Sequence, residues 1–148
     1  MQKLSLVLPL LLTVGAIGGL ASPAEAADCA ISPDSVAFGN YDPLSPVAHD
    51  GVGNVAINCS APTSFTISLG PGNGSVEQRE MWGGSSEMRY NLYTDAARML
   101  VWGDGMGAGN TVSDTAQSGN YAVYGRIPAR QNLAAGVYAD VVVVTITY

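Results

Sequence analysis

Few residues in this chain have the chemistry to make or break bonds, and most of them stand alone. His49 is the only histidine and sits in a Pro- and Asp-rich stretch with no Cys or His at ligand spacing. A structural zinc ion takes four nitrogen or sulfur ligands, so no metal site is expected. Glu77, Glu80 and Glu87 are close in sequence and would have to face one another across a sugar to act as a glycosidase pair. Charges spaced that way in a Gly- and Ser-rich stretch instead read as a solvated surface. Gly103-Asp104-Gly105-Met106-Gly107 lacks the Gly-Lys-Ser/Thr ending of a phosphate loop, and Asp104 has no Asp-x-Asp-x-Asp run around it to supply the six to eight oxygens calcium takes. It reads as a turn. The expectation is a protein that is not an enzyme and needs no cofactor. Aromatic side chains are the remaining candidates, since Trp82, Trp102, Tyr41, Tyr93 and Tyr121 offer flat faces for sugar rings. Trp102, just before a turn, is expected to be buried, whereas Trp82, beside Gly83-Gly84, is the candidate for a surface-binding aromatic.

The N-terminus sets the compartment. Lys3, the apolar run Leu4 to Leu20 and the small-x-small site Ala24-Glu25-Ala26 have the order of a secretory signal peptide. Residues 1–26 are read as that signal and residues 27–148 as one mature domain, with no membrane insertion after cleavage. Asp28 before Cys29 does not fit a lipid-attachment site. Two cysteines in an exported chain read as one disulfide, Cys29–Cys59. A net charge of −6 without a basic cluster argues against nucleic acid and anionic membrane surfaces as partners.

Strands must position whatever site there is. Turn dipeptides recur at Asp50-Gly51, Asn73-Gly74 and Asp104-Gly105, and no long apolar stretch has helical spacing. Apolar residues alternate at Val55/Ile57/Cys59, Phe65/Ile67/Leu69 and Met88/Tyr90/Leu92, each predicting a strand with one buried face. Leu100 to Trp102 and Tyr121 to Ile127 predict two more. The stretches between Gly70 and Glu87 and between Gly103 and Gly119 read as surface loops. Arg126 and Asp140 are expected to pair across the last two strands. The class is an all-β sandwich.

Gly136 to Tyr148 is β-branched almost throughout and predicts one long terminal strand. Placing Thr145 and Thr147 outside turns Val142, Val144, Ile146 and Tyr148 toward the core, because a one-residue slip would bury the threonines. An immunoglobulin-like sandwich runs on through one further strand, for which no residues follow. The apolar edge is then either open to a partner's strand or covered by the chain's own strand order, and the residues alone favour neither.

Several blocks in order resemble the spore coat protein U family, which also covers subunits of archaic chaperone–usher pili. They are Cys29, Phe38 to Pro43, Cys59, Tyr90 to Asp95, Val101 to Gly105, Tyr124 to Pro128 and Gly136 to Asp140. The resemblance implies an immunoglobulin-like β-sandwich, incomplete for want of its last strand, with Cys29 and Cys59 disulfide-bonded. It implies that Val142, Val144, Ile146 and Tyr148 line a groove that meets a periplasmic pilus chaperone and then a donor strand from another pilus subunit, delivered through an usher. The expected location is the periplasm in transit, then the cell surface or medium, as part of a pilus or an extracellular coat. Cleavage after Ala26 would leave only Ala27 and Asp28 before Cys29, so the expectation is not a strand donor but an acceptor at a tip or cap, a subunit completed by some other protein, or a secreted coat-type member that need not polymerise this way. The rival expectation is a secreted carbohydrate- or surface-binding module built on Trp82.

Overall fold

The computed structural model describes residues 27–148; the signal peptide read at residues 1–26 lies outside them. Six strands and no helix make up the described chain: β1 (Cys29–Asp34), β2 (His49–Leu69), β3 (Arg79–Gly83), β4 (Ser86–Tyr93), β5 (Val112–Ile127) and β6 (Val144–Thr147). They hydrogen-bond in the order β1-β2-β5-β4-β3, with β6 also on β2, and every pairing is antiparallel.

β2 is the spine. The two alternating sets read as separate strands are its two halves, and Val55, Ile57, Cys59, Phe65, Ile67 and Leu69 are all nearly inaccessible. The register against β5 slips between Asn58 and Thr63, where the sheet bends. The N-terminal half pairs with β1 and the C-terminal half with β6, both along the edge away from β5. The bend brings residues far apart on the ladder together: Phe65 meets Tyr121 edge to face at 5.8 Å although Tyr121 pairs with Val55. One cluster of buried side chains thus fills the inside of a curled sheet.

The opposite face of the C-terminal half carries hydroxyls. Thr147, Thr66 and Ser113 stand in one rank across β6, β2 and β5, and the Thr66–Ser113 and Ser64–Thr115 hydroxyls are each 2.8 Å apart. This explains why β5 begins at Val112, inside a stretch read as loop. Its first half pairs with β2 through residues whose outward side chains are Ser113 and Thr115, so its apolar alternation is weak.

β3 also lies where a surface loop was expected. Its signal is masked because one of its inward residues is a cation, Arg79, which is fully buried. Asp50-Gly51 is part of β2, not a turn. Its glycine is needed for close approach, since a Cβ on Gly51 would lie 3.0 Å from the Phe38 ring. Leu100 to Trp102 makes single bridges, Val101 to Tyr93 and Trp102 to Asn110, in place of a strand. Arg126 pairs with Asp50 at 2.7 Å and not with Asp140, because the β2–β5 register sets Asp50 directly opposite it.

The terminal segment is not one strand. Ala139 first bridges Trp82 on the β3 edge, with mutual backbone hydrogen bonds of 2.9 and 3.2 Å, and only Val144–Thr147 joins the β2 ladder. A segment that changes partner between two edges cannot keep one pleat. Tyr148 lies past the last paired residue and is 54% exposed, so it is outside the core; its hydroxyl points to Asp28 Oδ1 at 3.5 Å.

Candidate strand-acceptor groove

A groove of about 940 Å³ runs between two segments, residues 33–43 from the end of β1 onward and residues 133–144 before and into β6. Its floor is the core itself, including Val55, Leu69, Met81, Met88, Leu92 and Ile127.

The first wall is set down by β1. The Cys29–Cys59 disulfide joins two directly opposed residues, Cα atoms 4.0 Å apart, and fixes β1 on β2. The chain then crosses the sheet over a track of glycines. Val36 and Phe38 sit where a Cβ on Gly53 would meet Val36 Cγ2 at 2.8 Å and one on Gly125 would meet the Phe38 ring at 2.5 Å. His49 Nε2 bonds the Phe38 carbonyl, and Tyr41 donates to the Pro128 carbonyl at 2.8 Å while accepting from Gln131 N–H at 2.9 Å.

The second wall hangs on Asp140. Its Oδ2 accepts from the Tyr90 hydroxyl at 2.6 Å, and its Oδ1 accepts from the N–H groups of Asn73 at 3.1 Å and Val141 at 2.7 Å. Gly72 has room for nothing larger, as a Cβ there would lie 2.1 Å from that carboxylate. Tyr90 is a crossbeam: its ring packs edge to face on Phe38 at 6.0 Å and its hydroxyl reaches the opposite wall. Burial first, and then the bond to Asp140, push its hydroxyl pKa far above the ordinary 10.0, so the proton stays to be donated.

Beneath this wall lies Arg79, with 0% exposure. It has no carboxylate partner among the described residues. Its guanidinium donates to the carbonyls of Gly70 (2.9 and 2.7 Å), Leu69 (3.1 Å) and Trp102 (2.8 Å), and to Asn91 Oδ1 (2.7 Å). Asn91 passes the network on to the carbonyls of Val76 and Glu77. Burial lowers the Arg79 pKa from its usual value, yet a guanidinium stays charged at any physiological pH. Gly70, so held, donates its own N–H to Val143 O at 2.9 Å and carries the second wall.

Of the four residues expected in the groove, Val142 and Val144 line it. Ile146 packs half-buried against the core below it, and Tyr148 turns away. Val141 and Val143 point outward at 85% and 67% exposure, which leaves the segment apolar on both faces. Trp82 is 46% exposed and bridges Ala139, and Trp102 is fully buried with its Nε1–H on the Ile67 carbonyl at 3.1 Å. Glu77 and Glu87 are exposed and Glu80 is half-buried, none in the groove. Sequence reading missed Phe38, Tyr90, Tyr138, Asp140 and Arg79 as parts of this arrangement. The glycines at 51, 53 and 125, unusual inside strands, were the available sign that another segment lies across the sheet.

Among the described residues, β1 pairs only with β2 and β6 pairs only with β2, so each leaves one edge of N–H and C=O groups free. Residues 141–143 likewise form no ladder. An apolar floor flanked by unpaired backbone is the form that accepts a β-strand.

Comparison with known proteins agrees with this architecture. Protein U of Myxococcus xanthus is 33% identical over 125 residues, spanning 75% of this chain and 70% of that protein. Among solved structures, the CsuC–CsuE chaperone–tip adhesion subunit pre-assembly complex from archaic chaperone–usher Csu pili of Acinetobacter baumannii matches at TM-score 0.59 and 26% identity. That match covers 83% of this chain, which spans only 40% of the length of the chain it matches. The immunoglobulin-like fold of a pilus subunit is therefore shared. The Spore Coat Protein U domain matches residues 19–145, and the chain belongs to that family.

Proposed function

We infer that this protein is a non-enzymatic pilus or coat subunit whose groove takes a β-strand from another chain. The observation that carries the reading is the groove between residues 33–43 and 133–144, floored by the hydrophobic core and edged by unpaired backbone. A strand laid there would pair its backbone with the free edges and bury alternate side chains on Leu69, Met81, Leu92 and Ile127. No bond is made and no cofactor is needed.

The first occupant is a periplasmic chaperone strand and the second a strand from a neighbouring subunit, handed over at an usher. The likeness to a subunit captured in a chaperone complex supports this order. On this reading residues 1–26 are removed on export, residues 27–148 form the mature domain, and the protein ends on the cell surface or in the medium. A place at a tip or cap follows from taking a strand without needing to give one. Val142 and Val144 meet the incoming strand from the second wall, and Trp82, on the far side of the Ala139 bridge, is left for surface contact.

The test is the state of the purified protein with and without a co-expressed periplasmic chaperone of an archaic chaperone–usher system. The expected result is a 1:1 complex that is soluble and melts well above the chain alone, with Val142→Asp, whose side chain faces the groove, weakening it. A monomer that is equally stable without the chaperone and does not bind it would show that the fold is complete, and the acceptor reading would fall.

A further inference from the structure

The terminal segment keeps one alternation from residue 137 to residue 147: odd positions are exposed and even positions half-buried. What the exposed row carries changes along it. Thr145 and Thr147, inside β6, are matched across the ladder by Ser68 and Thr66, hydroxyl residue beside hydroxyl residue. Ahead of β6 the row turns apolar. Ala139 is matched by Trp82, but Val143 stands opposite Gly70, which has no side chain, and Val141 lies in no ladder. These two valines are thus exposed on the outer surface with no cross-strand side chain beside them among the described residues. The backbone shows from which side a neighbour can come. Gly70 N–H bonds Val143 O, so Val143 turns its backbone groups to β2, and Val142 and Val144 turn theirs to the opposite, free side. The N–H of Leu69, opposite Val144, goes to Gly103 O instead, as that alternation requires.

We propose that the groove reads both faces of its occupant: it takes a strand that is apolar inward, against the core, and that also carries apolar β-branched or aromatic side chains at the two outward positions beside Val141 and Val143. The proposal rests on the acceptor reading and adds the outward face of the occupant to it. An antiparallel strand on the free side hydrogen-bonds at Val142 and Val144, and its side chains there turn into the groove. Its residues opposite Val141 and Val143 then fall on the outer surface, at the non-hydrogen-bonded positions where opposed side chains come closest. Inward burial supplies the larger share of affinity but is common to any alternating apolar strand. The outward pair separates a strand that covers the two valines from one that leaves them in water.

Two fluorescent synthetic peptides share one inward set of valines and identical ends, and differ only at two outward positions, Val in one and Thr in the other. Both residues are β-branched, so the exchange keeps strand preference and removes the apolar contact. Titrated into the purified protein and followed by anisotropy, the Val peptide is expected to bind about three- to tenfold tighter, the size of two cross-strand pairs. In a Val141→Thr/Val143→Thr variant the gap should close without loss of affinity for the Thr peptide. Equal affinities for the parent protein, or a gap unchanged in the variant, would overturn the outward-face selection and leave the acceptor groove standing. Failure of both peptides to bind would overturn the acceptor reading and the selection with it.

Discussion

Arg79 brings a positive charge into the interior without a carboxylate in salt-bridge contact among the described residues, and each of its three guanidinium nitrogens donates to an oxygen dipole. Removing it takes the guanidinium donors from the carbonyls of Leu69, Gly70 and Trp102 and leaves Asn91 Oδ1 with only the Leu92 N–H. Arg79→Met should therefore cost about 3–5 kcal/mol in denaturant unfolding, and Arg79→Lys should recover only part, since an ammonium cannot span a planar fork of acceptors. Asp50 offers a milder test. The hydrogen bond from Arg126 holds its carboxyl below the ordinary 3.8. A carboxylate with a depressed folded pKa stabilises the fold above its unfolded value and loses that contribution as pH falls through the folded one. Asp50→Asn should leave stability nearly unchanged in its pH dependence above about pH 4.5 and flatten the acid limb below it, as read by thermal unfolding across a pH series. Neither role was legible in the sequence. Arg79 sits in a Gly/Ser/Asn-rich stretch whose partners are backbone carbonyls, and these leave no residue-type signal. Asp50 reads as half of a turn dipeptide until the register is known.

At the scale of elements, strand composition told most where one face is apolar and the other polar. That covers both halves of β2, β4 and the end of β5, whose inward residues are Val123 and Ile127. It failed where the partner decides the structure. β3 and the start of β5 are short of apolar residues and are ordered by the strands beside them, while Gly136 to Val143 is rich in valine yet divided between two edges. The inward face of β6 and the outward side of the residue just before it give a direct check. Ile146→Asp places a charge against the core and should lower the melting temperature by many degrees, whereas Val143→Asp, on the solvent side, should fold as the parent does, both followed by circular dichroism. The disulfide is an element-level restraint as well. With its cysteines 30 positions apart, loss of the cross-link in a Cys29→Ser/Cys59→Ser double variant should cost about 3–4 kcal/mol in denaturant unfolding and loosen the first wall of the groove along with β1.

For the molecule as a whole, the sheet curls far enough to make one core but leaves the two walls apart, so the core has a floor and no lid. The all-β class was readable from turn density and from the alternating apolar runs. The position of the opening was not, because it depends on where residues 33–43 cross the sheet and where the terminal segment changes edges, and both are set by contacts remote in sequence. The two tryptophans sit on either side of this arrangement, one sealed at its centre and one in the water beside the second wall. They divide the protein's ultraviolet emission into an inner and an outer channel. Iodide should extinguish the red-shifted light of Trp82 and spare the blue-shifted light of Trp102. A Stern–Volmer plot that curves downward while the chain is folded, and straightens only when it unfolds, would make the molecule its own gauge of whether the sandwich has come apart or only its rim has been touched.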